Sequence, residues 1–169
     1  MASFTERMIG AATLNVATYE EVEHDRTATG QAAGVVLLVA IAGAIGSSGA
    51  GLWGIIGALL SAFVGWYVWS AITLFVGAGL FKGTADMGEM LRTIGFAQAP
   101  GVLNVLGIVP FFGGWVRFVV WLWMLVCAVV AIRQALDFTT GKALGTALIG
   151  FVVYVIIGSL LTLLTFGLL

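Results

Sequence analysis

The chain has 169 residues, room for one domain, and with 61% hydrophobic residues, 9% charged residues and a mean hydropathy of +1.13 it is too apolar for a soluble fold of that size. Lipid is the expected solvent for most of it, which implies an all-α fold, a polytopic bundle of membrane helices. A net charge of -1 and a pI near 5.7 offer no basic surface, and nucleic acid is excluded as a partner.

Residues 1–29 read as a cytoplasmic or interfacial segment and residues 30–169 as the membrane domain. Met1 to Arg26 is polar and acidic, without the basic start and apolar core of a cleaved signal, so no leader is expected. Ser3-Phe4-Thr5-Glu6 has capping-box spacing, and Phe4, Met8, Ala11 and Ala12 then share a face. This predicts a short helix lying on the cytoplasmic surface. Thr18-Tyr19-Glu20-Glu21 repeats the spacing and predicts a second short helix opening at Thr18. The group Glu20, Glu21, Glu23, His24 and Asp25 invites a metal, but successive helical residues splay outward and only some could converge on one ion. The expectation is a solvated acidic face with no metal ligand. His24, the only histidine, stands outside the apolar core where a haem or chlorophyll ligand would sit, and no cofactor is predicted.

No charge occurs between Arg26 and Lys82, a gap long enough for two spans of about 20 residues each. Span one is read as Gln31 to Gly46, and the Gly/Ser cluster Ser47 to Gly51 as the turn. Span two lies within Leu52 to Phe81, whose helical length of about 45 Å exceeds the hydrocarbon core and predicts tilt. Asp86-Met87-Gly88-Glu89 is again cap-like and feeds span three, Thr93 to Phe111, with an expected kink at Pro100 and a turn at Gly113-Gly114. Span four runs from Trp115 to Ile132 and span five from Ala143 to the end. With the N-terminus in the cytoplasm, Arg7, Arg26, Lys82, Arg92, Arg133 and Lys142 lie inside and only Arg117 outside, which predicts five spans with the C-terminus outside.

No nucleophile, base and orienting group come together in the sequence, no carboxylate pair lies within a span, and the lone Cys127 has no second thiol, so no catalytic residue is assigned. The spans instead carry small residues in register. Gly57, Ser61 and Gly65 recur every fourth position beside Gly54, Ala58 and Ala62, and Gly30–Gly34 and Gly141–Gly145 repeat the spacing. These mark the expected helix-packing or partner face. The intramembrane polar side chains are Gln98, Asn104 and Arg117; the amides are expected to bond between helices and Arg117 to snorkel to the outer interface.

Gly83-Thr84, Glu89, Leu91-Arg92, Gly95, Ala97 and Pro100, then Pro110, Trp121 and the stretch Ala135-Leu136 to Lys142-Ala143-Leu144, resemble the pattern of the Yip family, the Ypt/Rab-interacting membrane proteins. Thr18-Tyr19-Glu20-Glu21-Val22-Glu23 is similar too, so the resemblance covers most of the chain from Thr18. It implies a five-helix membrane domain without enzymatic activity. Eukaryotic members are associated with Rab-type GTPases and vesicle traffic through a longer cytosolic N-terminal region. The short N-terminal segment here counts against GTPase binding and suits the small prokaryotic members.

The expected function is therefore a non-catalytic membrane scaffold or adaptor, in contact with the lipid bilayer and with other membrane proteins or a second copy of itself. The competing readings are an accessory subunit of a larger, energy-transducing membrane complex and a small transporter or channel.

Overall fold

The computed structural model describes residues 2–47 and 52–166, with 85% helix and no strand among the described residues. The helices are α1 (Phe4–Ala12), α2 (Val16–His24), α3 (Ala28–Gly46), α4 (Leu52–Phe81), α5 (Met87–Ala97), a 3-10 helix (Ala99–Ile108), α6 (Gly113–Ala135) and α7 (Thr140–Phe166). The expected turn residues 48–51 lie outside the described residues.

Both capping boxes form: Ser3 and Glu6 close the start of α1, Asp86 and Glu89 that of α5, so the backbone donors that the first turns leave over are satisfied locally. The second short helix opens earlier than the spacing predicts. Asn15 caps it by accepting from the Ala17 amide at 3.0 Å, while Thr18 is turned against Gly10 of α1. Leu14, at φ 62°, reverses the chain between the two helices. The apolar face of α1 packs on protein. Ala11 is buried and Phe4, Met8 and Ala12 pack on the protein core, Phe4 beside Phe96 of α5.

Four helices, α3, α4, α6 and α7, are long and apolar enough to cross a bilayer. The expected third span is not one kinked helix. α5 ends at Ala97 with Gln98 as its cap, and Pro100 enters the first turn of the 3-10 helix, where its missing N–H costs no bond. Gly113-Gly114 begins α6 and is not the turn; the reversal precedes it, at Phe111 with φ 66°. Span one also starts three residues early, at Ala28.

Two groups of helices meet on α5. On one side α4 and α7 pack together, with Trp69 edge-on to Tyr154 at 5.9 Å and Phe81 against Gly145. On the other, α3, the 3-10 helix and α6 close tightly where glycine removes the side chain: Gly101 faces Val39 and Met124, and Gly46 faces the Asn104 carbonyl. α5 ties the groups, its Gly95 against Ala32 of α3 and its Leu91 carbonyl accepting from Trp66 Nε1 of α4 at 3.0 Å. α1 and α2 cover one end of this core, where Tyr19, Val22, Met90, Phe96, Ile132 and Leu136 are buried. Trp53, Leu60, Phe75, Trp121 and Phe151 remain exposed along α4, α6 and α7, as lipid-facing side chains should.

Candidate functional site: a cleft beside α4

Above the α4–α5 contact the two helix groups part, leaving a cleft of about 290 Å³ between α4, the end of α5 and α6. One wall is the small-residue row of α4 at Ser61, Ala62 and Gly65; Trp66, Trp69 and Trp121 frame it, and Gln98 supplies an amide. Two features that are separate in the sequence, the small residues of the second span and the amide before Pro100, thus face one space.

The small residues divide by depth. Gly54, Gly57 and Ser61 are exposed, and a β-carbon built on Gly57 meets nothing within 4 Å. At Gly65 it would meet only the Tyr154 hydroxyl, at 3.8 Å. Ala58 and Ala62 are half-buried, Ala62 against the core. The glycines that hold this bundle together are others, Gly77, Gly95 and Gly101, where a β-carbon would fall 2.5–2.7 Å from Leu136, Ala32 and Val39.

Among the described residues, neither of the two amides expected within the membrane makes the expected bond between helices. The side chains of Gln98 and Asn104, both half-buried, have no hydrogen-bond partner among the described residues. At Pro100 the chain turns into a 3-10 helix, in which the Gly101 amide bonds the Gln98 carbonyl at 2.7 Å. Arg117 is exposed, and its guanidinium reaches across from α6 to the Gly46 carbonyl, the last residue of α3. There it completes a helix C-terminus whose carbonyls carry partial negative charge. It also borders a shallow depression of about 440 Å³ with Gly107 and Phe111.

The acidic segment is not wholly solvated. Glu20 takes a hydrogen bond from Gln134 of α6, and Glu23 is turned inward with only 7% of its surface exposed. Burial pushes the Glu23 carboxyl up to about 7; His24 opposes that shift, and Glu20, Glu89 and Asp137 add to it. Arg7 and Arg92, read in the sequence only as inside charges, are buried organisers. Arg7 holds Glu21 at 2.8 Å, Asp25 at 2.7 Å and Gln31 at 3.0 Å, joining α1, α2 and α3. Arg92 donates through Nε to the carbonyls of Val22 and Glu23 at 3.0 and 2.9 Å, fastening the end of α2 to α5. Sequence spacing gives no sign of either, since the partners lie 14–70 residues away.

Four apolar helices of spanning length around a packed helical core define a polytopic membrane protein. Its family is shown by the family model of the Yip1 domain, which matches residues 13–163, from the α1–α2 turn into α7. The chain belongs to the Yip1 domain family, as the residue pattern around Pro100 and Pro110 implies. No curated protein and no solved structure matches it.

Proposed function

We propose that this member of the Yip1 domain family is a non-catalytic membrane scaffold that takes a transmembrane helix of another protein, or of a second copy, against the outer half of α4. The observation that carries this reading is the open side of Gly57. A glycine inside a helix costs about 1 kcal/mol relative to alanine, and Gly57 recovers none of it against the described residues, whereas Gly77, Gly95 and Gly101 each permit a close contact. Small residues at four-residue spacing let backbones approach in lipid, so the unfilled face suits a partner helix entering beside the cleft. The topology proposed with it has five crossings, N-terminus inside and C-terminus outside. α5 and the 3-10 helix, about 16 Å and 20 Å long, run in series as the third.

The test is Gly57→Leu. The expected result is unchanged melting of the isolated chain in mild detergent, together with loss of the partner, or of self-association, that the wild type retains through purification. Wild-type copurification and wild-type oligomeric state in the leucine variant would show that this face meets only lipid.

A further inference from the structure

Glu20, Glu23 and His24 stand at positions i, i+3 and i+4 of α2 and so share one face. One carboxylate oxygen from each glutamate and a ring nitrogen of His24 all lie within 4.8 Å of one another. Glu23 is the unusual member. Oε2 of its carboxylate is buried with no hydrogen-bond partner, although the residue is only 7% exposed. The ion pairs among the described residues are those of Arg7 with Glu21 and Asp25, and the nearby Arg92 guanidinium is spent on backbone carbonyls. Of the other charged neighbours that act on Glu23, His24 favours its charged form, while Glu20, Glu89 and Asp137 are acidic and oppose it. A buried carboxylate among carboxylates, with no ion pair among the described residues, is costly.

The donors around it are prepared for one. The His24 Nδ1 lies 2.9 Å from the Glu20 carbonyl. A carbonyl only accepts, so Nδ1 carries the hydrogen and the neutral ring keeps its lone pair on Nε2, the arrangement found in metal-bound histidines. Glu20 is held by Gln134 through Oε1, which leaves Oε2 to coordinate. His24 is exposed, so an ion can arrive from solvent. Ligand atoms around zinc stand about 3.4 Å apart at bond lengths of about 2.1 Å, and the exposed His24 ring has the freedom to close that difference.

We propose that Glu20, Glu23 and His24 form a binding site for one divalent metal ion of the zinc class, with water completing its coordination. One imidazole and two carboxylates make a three-ligand nitrogen and oxygen set that suits zinc, whereas calcium takes six to eight oxygens. The ion supplies the positive charge that Glu23 lacks and, through Glu20 and Gln134, fastens α2 to the end of α6. The site lies away from the α4 cleft and does not depend on the scaffold reading.

The experiment uses the full chain in mild detergent, free of any histidine tag and stripped with a chelator. Zn2+ is titrated against a fluorescent competitor and melting is recorded with Zn2+, Ca2+ or Mg2+. The expected result is one Zn2+ per chain and a higher melting temperature with Zn2+ alone. His24→Ala and Glu23→Gln should each weaken binding at least tenfold and erase the Zn2+-dependent rise. Gln134→Ala, which frees Glu20, should weaken it by about tenfold. His24 is exposed, so its variant should melt like the metal-free wild type and decides the matter even if Glu23→Gln fails to fold. Absence of stoichiometric Zn2+ binding in the wild type, or undiminished binding in His24→Ala, overturns the proposal.

Discussion

Gly95→Ala tests the packing account most directly. A β-carbon at Gly95 would fall 2.7 Å from the Ala32 β-carbon and 3.3 Å from both its Cα and its carbonyl oxygen. None of these atoms can rotate away, because each is fixed to a helix backbone, so α5 and α3 must separate along a buried contact. Overpacking of this kind costs about 1–3 kcal/mol, and the gain from replacing glycine by alanine in a helix recovers about 1 kcal/mol. The expected net loss is up to about 2 kcal/mol against the wild type and about 1–3 kcal/mol against an alanine placed where it meets nothing, read as a lower midpoint of denaturant-induced unfolding in mild detergent. Gly57→Ala is the control, since that methyl group meets nothing within 4 Å, and it should match or exceed the wild type by less than about 1 kcal/mol. Adding Ala32→Gly to Gly95→Ala should restore much of the loss, because the two β-carbons would no longer compete. If Gly95→Ala were as stable as Gly57→Ala, the close approach of α5 to α3, and the inference that protein-facing glycines set the bundle's geometry, would be refuted.

Trp66→Phe removes the Nε1 bond to the Leu91 carbonyl while keeping most of the ring, and should cost about 1 kcal/mol in the same unfolding assay. Acid should loosen the α1–α2 hairpin. Arg7 holds the Glu21 carboxyl below its ordinary 4.5, and the Thr27 hydroxyl together with Arg7 holds Asp25 down at about 2. Carboxyls with lowered values bind protons less readily folded than unfolded. Their contribution is complete above the ordinary values and is lost as pH falls through about 4 toward 2, a slope that Arg7→Met should flatten in a pH series of melting temperatures. For the topology, Gly114→Cys and Thr139→Cys in a Cys127→Ala background should label with an impermeant thiol reagent from outside and inside respectively, and labelling of both from one side rejects the proposed orientation. Both positions are exposed, and a β-carbon at Gly114 meets nothing within 4 Å.

The sequence alone determined the class of the molecule and several of its helix ends, among them those of α4 at Leu52 and Phe81. The uncharged gap from Arg26 to Lys82 could only be helix in lipid, and the pairs Ser3–Glu6 and Asp86–Glu89 announced their helix starts because a capping box is a contact between residues three apart. The pattern from Gly83 to Leu144 carried the family for the same reason, being legible in residue order. What only the tertiary structure decided is which side of each span meets protein. α3, α4, α6 and α7 are apolar all round, so hydrophobic periodicity cannot mark a buried face, and residue order does not distinguish Gly95, pressed on Ala32, from Gly57, where an added β-carbon meets nothing within 4 Å. Thr18 and Pro100 were misread for a related reason. Each has a local meaning, as a cap or a kink, that its neighbours override: Thr18 meets Gly10, and Pro100 opens a 3-10 helix. The burial of Arg7, Arg92 and Glu23 was equally beyond the sequence, because an ionisable side chain is turned inward by partners from distant segments. Lipid makes the membrane helices inevitable from composition, but it does not distinguish one apolar face from another, and only packing between helices does.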